Sequence, residues 1–298
     1  MSEQEWSGSF AIPMTPYDER GRIDEEVLAA EIEFCIDAGA GGLVVPVMVS
    51  EFQALTEDER RTMIRIPLSV NGGRIPVIVN VAAVATHLAV EYAELANDCG
   101  ADGVIAMPPY GLSPDFATTA AYFRSIAAAV NVPVWIQNAG MASLSLDEVV
   151  ALCEEVENIS WVKEEVNPSP GRIGALVERG SSGIHGVMGG SAGRFLMTEW
   201  ERGAKGVVHA CEFCDIVARI WKQLEVGELD EAARLYEAVL PGLVMEGLMG
   251  MAFAKEIMVR RGVFRNHRMR SRAAPLNTHD LAEIDRIWRR LERVTGGM

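Results

Sequence analysis

Eight short apolar runs, each followed by a helix-like stretch, set the tightest limit on what this chain can fold into. The runs are SFAIPM (9–14), GLVVPV (42–47), PVIVNV (76–81), DGVIAM (102–107), PVWIQN (133–138), ISWVKE (159–164), IHGVM (184–188) and KGVVHA (205–210). They are continuously apolar rather than alternating, which is the pattern of parallel strands covered by helices on both sides. Between them, segments such as DEEVLAAEIEFCIDAG (24–39), TEDERRTMIRIPLSV (56–70) and THLAVEYAELANDCG (86–100) carry apolar residues at three- and four-residue spacing. Several end on Gly, the residue that best closes a helix. Eight such units predict a closed (β/α)8 TIM barrel rather than an open doubly wound sheet. No GxGxxG follows the first run, so the usual sign of a dinucleotide site is missing.

After Val226 no strand signal returns, and helices are predicted at 229–240, 243–261 and 278–294. The expected organisation is a catalytic barrel over 1–226, with 227–298 as a helical C-terminal extension of the same domain.

With 27 Lys plus Arg against 42 Asp plus Glu, the formal charge is −15. Such a molecule repels nucleic acid and anionic membrane surfaces, and neither is expected as a partner. MSEQEWSGSF lacks the basic and apolar regions of a secretory signal, and no apolar run is long enough to cross a bilayer. A soluble cytoplasmic protein is therefore expected. The five cysteines, Cys35, Cys99, Cys153, Cys211 and Cys214, are an odd number and are expected to be reduced. CEFC has the spacing of half a metal or redox site, but no second pair completes it, so packing is the expected role and no metal is predicted. RRGVFRNHRMRSR (260–272) is a basic cluster with Phe264 as its one aromatic residue. It reads as a solvated or subunit-contact segment rather than an RNA-binding strip.

In barrels of this type the catalytic groups stand at the C-terminal ends of the strands. Lys163 holds that position on the sixth run, within WVKEEVNPSP (161–170). Side chains alternate along a strand, so Trp161, Lys163 and Glu165 share one face while Val162 and Glu164 share the other. A lysine emerging from an apolar barrel loses hydration, which favours the neutral amine that attacks carbonyls. The resulting Schiff base draws electrons from the neighbouring carbon, so a C–C bond can break or a β-hydroxyl can leave with acid–base help alone. The competing reading is a lysine merely ion-paired with Glu164 or Glu165. The residues by themselves leave both open.

FAIPMTPYDERGRID near the start, SEFQALTEDER after the second run, GRIPVIVNV on the third, MPPY after the fourth and WVKE on the sixth together resemble one family. It is the dihydrodipicolinate synthase and N-acetylneuraminate lyase family of class I aldolases, and the resemblance covers nearly the whole chain. It implies that Lys163 forms a Schiff base with a 2-oxo acid and that no cofactor is needed beyond this covalent imine. It also implies a homo-oligomer, tetramer or dimer.

The chain departs from the family pattern in several places. The Gly-Thr-Thr-Gly-Glu type loop after strand two becomes VMVSE, with Met48 and Val49 at the threonine positions and Ser50 and Glu51 as the polar groups. The Tyr-Asn of strand five becomes Gln137 and Asn138. The basic residue that holds a second carboxylate would fall near Ala142, and the tyrosine lent by a neighbouring subunit aligns with Gly111, beside Tyr110. These changes remove the proton relay and the dicarboxylate clamp, so dihydrodipicolinate synthesis and sialic acid cleavage are not expected. The altered set is similar instead to the subgroup of 2-keto-3-deoxy sugar acid dehydratases of the L-2-keto-3-deoxyarabonate type.

On that resemblance the catalytic candidates are Lys163 as nucleophile, Glu165 as base or acid, and Gln137, which cannot titrate and could only orient a hydroxyl or a water. Glu165 pairing with Lys163 and Gln137 as a buried amide remain the plainer alternatives. Candidate substrate-binding positions are Val49, Ser50 for the substrate carboxylate, Glu51 as a loop brace, Asn138, Gly189 in GVMGGSAGR, and His209 at the end of the eighth run. The expected activity is that of a Schiff-base lyase dehydrating a 2-keto-3-deoxy sugar acid to a 2-oxo acid semialdehyde. A pyruvate-releasing retro-aldolase and a non-catalytic 2-oxo acid binding protein are the alternatives.

Overall fold

The computed structural model describes residues 5–112, 114–180, 183–271 and 274–295. Its strands are β1 (Gly8–Ile12), β2 (Gly42–Val45), β3 (Val77–Asn80), β4 (Gly103–Ala106), β5 (Val134–Asn138), β6 (Ile159–Glu164), β7 (Gly186–Gly189) and β8 (Gly206–Ala210). They lie in sequence order in a closed barrel, with parallel pairing between neighbours. Each falls on one of the eight apolar runs, usually trimmed by a residue or two. Every strand residue is buried, which is why the runs show no in–out alternation.

The helices are α1 (Glu25–Asp37), α2 (Glu57–Asn71), α3 (Thr86–Asp98), α4 (Phe116–Ala128), α5 (Leu146–Glu155), α6 (Ser169–Arg179), α7 (Leu196–Trp200), α8 (Cys214–Glu225), α9 (Leu229–Met249), α10 (Met251–Arg260) and α11 (Thr278–Thr295). Their starts follow local chemistry. Asp24 accepts from the Val27 amide, and Thr56 with Glu59 and Ser145 with Glu148 form reciprocal capping boxes. Among the described residues no helix is long and apolar enough to cross a membrane.

The chain divides into two compact units. The first comprises residues 1–7, 76–191 and 195–208. Its core is built on three indoles: Trp6 lies 5.4 Å from Trp135 and 5.1 Å from Trp161, and Trp135 stacks on Trp161 at 5.3 Å. Trp135 and Trp161 are register partners on β5 and β6, so strand pairing itself brings the rings together. Gly186 of β7 makes room for them, since a Cβ there would stand 2.3 Å from the Trp161 ring.

The second unit comprises residues 8–75, 192–194 and 209–298. Here Phe10 of β1 covers Gly42 of β2 in the same manner. The basic segment is exposed or half-buried except at Phe264, as expected of a solvated stretch, and several of its arginines also find acidic partners within this unit. Arg260 pairs with Glu256 and Asp285, Arg261 with Asp215, Arg265 with Asp24 and Glu26, and Arg270 with Glu59. Acidic groups far away in sequence supplied the partners; Arg272, the last residue of that stretch, lies outside the described residues. The CEFC pair likewise gains a third buried thiol, Cys35 of α1, within hydrogen-bonding reach of Cys211 and Cys214.

The first two C-terminal helices differ from expectation. A break was predicted at Pro241–Gly242, yet α9 runs through it to Met249. Gly242 is there for close packing, because a Cβ would stand 2.8 Å from the Phe213 ring. The chain breaks at Gly250, whose φ of 64° and ψ of −148° only glycine adopts readily.

Gly186→Ala should push a methyl group into the Trp161 ring and destabilise the protein by about 1–3 kcal/mol. The midpoint of urea unfolding measures this, and an unchanged midpoint would show that the indole cluster yields freely.

Candidate active site

Strand alternation divides the WVKEE stretch as the period of two requires. Lys163, buried at the end of β6, places its Nζ 2.9 Å from Glu165 Oε2. Gln137 of β5 stands in register with Lys163 and donates its Nε2 hydrogen to the same oxygen at 3.0 Å. The other oxygen, Glu165 Oε1, accepts from the Ser191 amide in the turn after β7, also at 3.0 Å. Two elements of this turn make that bond possible. Gly190 carries no Cβ, which would otherwise lie 2.4 Å from Glu165 Cγ. Ser191 and Ala192 both adopt left-handed backbone, at φ 52° and 61°, which aims the Ser191 N–H inward. Each left-handed non-glycine residue costs of order 1 kcal/mol, a strain that clusters at functional sites.

Burial alone would push the Glu165 carboxyl up. The neighbouring Lys163 charge, then the Ser191 amide and the Gln137 amide, outweigh it and hold the carboxyl below the usual carboxylate range. Gln137 Oε1, by contrast, is buried and accepts no hydrogen bond among the described residues. The cluster thus presents an amine, a carboxylate two donors deep, and one free amide acceptor.

Glu164 takes the other side of β6, fully buried. Arg172 of α6 approaches it at 3.1 Å, and it accepts from Asn138 Nδ2 and the Val166 amide, both at 2.8 Å. Asn138 also donates to the Leu144 carbonyl and accepts from the Leu144 amide. Its side chain is therefore committed to Glu164 and the 139–144 loop, with no atom left for a ligand.

The other expected substrate contacts are similarly engaged. In the turn after β2, the Ser50 hydroxyl donates to the Pro13 carbonyl at 2.6 Å and accepts from the Val47 amide at 3.2 Å. Val49 is half-buried beside it. Glu51, left-handed at φ 55°, is fully buried with Lys255 Nζ 2.7 Å from Oε1, while Oε2 accepts from the Arg270 and Ser271 amides. Burial raises its carboxyl, but Lys255 and those amides bring it below the usual range. The three ammonium hydrogens of Lys255 go to Glu51 and to the Thr15 and Arg268 carbonyls. His209 has both ring nitrogens in contact, Nε2 with Ser9 Oγ and Nδ1 with the Ala210 carbonyl, each at 2.7 Å. Burial lowers its pKa to about 4, so the ring is neutral near pH 7.

Gly189 is explained by a residue that the sequence did not single out. A Cβ there would stand 2.0 Å from Glu199 Oε2, so only glycine lets that buried carboxyl approach β7. Glu199, Arg172 and Lys255 all belong to this polar framework, and nothing in their local sequence marks them out, since charged residues are common in the helices of this chain. Among the described residues no three His, Cys, Asp or Glu side chains are placed to hold a metal ion.

The model of the dihydrodipicolinate synthetase family matches residues 5–290. The L-2-keto-3-deoxyarabonate dehydratase of Azospirillum brasilense is 29% identical over 292 residues, covering 96% of this chain and 94% of that protein. The 4-hydroxy-tetrahydrodipicolinate synthase 2 of Halalkalibacterium halodurans is 28% identical over 242 residues, 79% of this chain and 80% of that protein. The crystal structure of dihydrodipicolinate synthase from Rhodopseudomonas palustris superimposes with a TM-score of 0.89 at 26% identity, covering 96% of this chain and 98% of that one.

Two outcomes are expected from the ion pairs. In Lys163→Met the Glu165 carboxyl loses its nearest cation and should titrate at higher pH than in the wild type, which carboxyl-labelled NMR would detect. Lys255→Ala leaves Glu51 charged and unpaired in the interior and should cost about 3–5 kcal/mol in denaturant unfolding, more than the double replacement Lys255→Met/Glu51→Leu.

Proposed function

The chain belongs to the dihydrodipicolinate synthetase family, and on that premise we propose that it is a Schiff-base lyase that dehydrates a 2-keto-3-deoxy sugar acid. The observation that carries the reading is the Lys163–Glu165–Gln137 cluster, an amine within 2.9 Å of a carboxylate that is itself steadied by two further donors. End-to-end similarity to a 2-keto-3-deoxy acid dehydratase supports the choice of substrate class.

The chemistry needs nothing beyond these groups. Glu165 takes a proton from Lys163, and the free amine attacks the C2 carbonyl; the Glu165 carboxyl then gives its proton to the carbinolamine hydroxyl, which leaves as water, so that the iminium ion and the Glu165 carboxylate form together. The iminium acidifies C3, where the Glu165 carboxylate removes a proton to form an enamine. The enamine electrons then expel the C4 hydroxyl, which leaves as water with a proton from the Glu165 carboxyl. Hydrolysis returns Lys163 and releases the unsaturated 2-oxo acid, which tautomerises to the semialdehyde. One carboxyl alternates between base and acid because it lies beside the reacting carbon throughout. Gln137 restrains Glu165 through its NH2 group, and its free Oε1 can accept a hydrogen bond from a substrate hydroxyl. The same imine would serve a retro-aldolase, for which the products differ.

Incubation with 2-keto-3-deoxy pentonates and hexonates, followed by borohydride reduction and peptide mass spectrometry, should give an adduct on the Lys163 peptide that is absent from Lys163→Ala. Turnover should conserve the carbon skeleton and release one water. Pyruvate plus an aldehyde among the products would identify cleavage instead, and no adduct with any 2-oxo acid would defeat the imine reading.

A further inference from the structure

We propose that Glu199 is a positioning residue of this lyase site, a second carboxyl acting across the Gly189–Gly190 backbone on Glu165 and, through Glu165, on the Lys163 amine. The inference rests on the lyase reading above.

The geometry is that of two carboxyl groups on opposite sides of one strand end. Successive residues of β7 and its turn face opposite ways. Gly190 lies against Glu165, whose Oε1 would be 2.5 Å from a Cβ at that position, and Gly189 lies against Glu199, whose Oε2 would be 2.0 Å from one. A side chain at either position would drive one carboxyl away, so the glycine pair is what allows both to close on the same backbone. Glu199 is buried on α7, and Ser169 at the start of α6 donates its hydroxyl to Oε1 at 2.7 Å. Oε2 is buried and accepts no hydrogen bond among the described residues.

Among the described residues, no cation is among the groups that act on Glu199. From β6 come Glu165 and Glu164, both negative; from α6 comes Ser169, which is neutral; β7 contributes only glycine backbone. Lys163 is spent on Glu165, Arg172 on Glu164, and Arg202, farther along from α7, on the Thr198 carbonyl. Burial therefore raises the Glu199 carboxyl to about 7, with Ser169 opposing and the two glutamates adding to the rise.

Below that pH Glu199 is a neutral acid, and Glu165 is the carboxylate paired with the amine. Above it, a second negative charge appears behind Glu165 in a region of low dielectric. That charge acts on Glu165, to which Glu199 is coupled, and raises its proton affinity, so Glu165 takes the proton of Lys163 more readily and the imine forms faster. Stability follows the same linkage. A folded-state pKa above the unfolded one means that the folded protein holds the extra proton between about 4.5 and about 7, so stability declines as pH rises through that window and levels off above it.

The test is the initial rate at which cyanoborohydride traps a pyruvate adduct on Lys163, from about pH 6 to about pH 8.5, in the wild type, Glu199→Gln and Ser169→Ala. Gln keeps the shape of the neutral acid and cannot ionise. The ratio of Glu199→Gln to wild type should be near one at the acid end and fall about threefold or more above pH 7. Ser169→Ala removes a donor that favours the ionised form and should move the departure from the Glu199→Gln profile to higher pH. A flat ratio with an unmoved Ser169→Ala profile would reduce Glu199 to packing and overturn the inference. Should Glu199→Gln fail to fold, the Ser169→Ala profile decides alone. No adduct in the wild type at any pH would defeat the lyase reading itself, a result distinguishable from adducts whose pH profile ignores Glu199.

Discussion

The two-residue period of β6 is the constraint on which the polar interior depends. Because consecutive side chains leave a strand on opposite faces, the adjacent charges Lys163, Glu164 and Glu165 cannot neutralise one another in sequence order. Lys163 meets Glu165 on one side, and Glu164 needs a cation on the other, which α6 supplies as Arg172. Register with β5 then sets Gln137 beside Lys163 and Asn138 beside Glu164, so one pair of strands provides an amide for each carboxylate. The polar partners of β6 thus follow from pairing geometry and from the high cost of leaving a buried charge unmet.

Buried glutamates in this protein are sorted by what surrounds them rather than by depth alone. Glu165 has a lysine, one backbone amide and the Gln137 amide, Glu51 has a lysine and two backbone amides, and both stay below the ordinary carboxylate range. Glu199 has one hydroxyl and two like charges and is raised to about 7, while Glu31, met by the Cys211 thiol and the Met14 amide, is raised to about 8. Side chains of the same chemical type thereby serve as ion-pair partners in one place and as neutral acids in another. Glu51 shows the structural use most plainly: with Lys255 and the 268–271 backbone it holds the turn after β2 from within.

Much of the scaffold could be read in advance because its signals are local. Eight continuously apolar runs announce strands buried on both faces, and the alternation rule already placed Lys163 and Glu165 together. Asn138, Ser50 and His209 were not legible in the same way. Each is a polar residue at a strand end, and whether its hydrogen-bonding atoms remain free depends on Leu144, Pro13 and Ser9, which lie at other points in the chain. Pro241–Gly242 misled for a related reason. Composition suggested a break there, whereas the helix continues and Gly242 packs against the Phe213 ring. The acidic partners of the basic segment likewise come from other elements.

What the amino-acid order determined by itself is the succession of strands and helices, the closing glycines and capping residues, and which face of β6 each charge occupies, since all of these follow from backbone sterics and side-chain period within a few residues. Tertiary structure alone decided which of the polar groups are already satisfied, why Gly189 and Gly190 must lack a side chain, and that Glu199 stands opposite Glu165. Those facts depend on contacts between separate elements, some only a few residues apart and others far apart in the chain, where burial and the nearest donor set each group's charge.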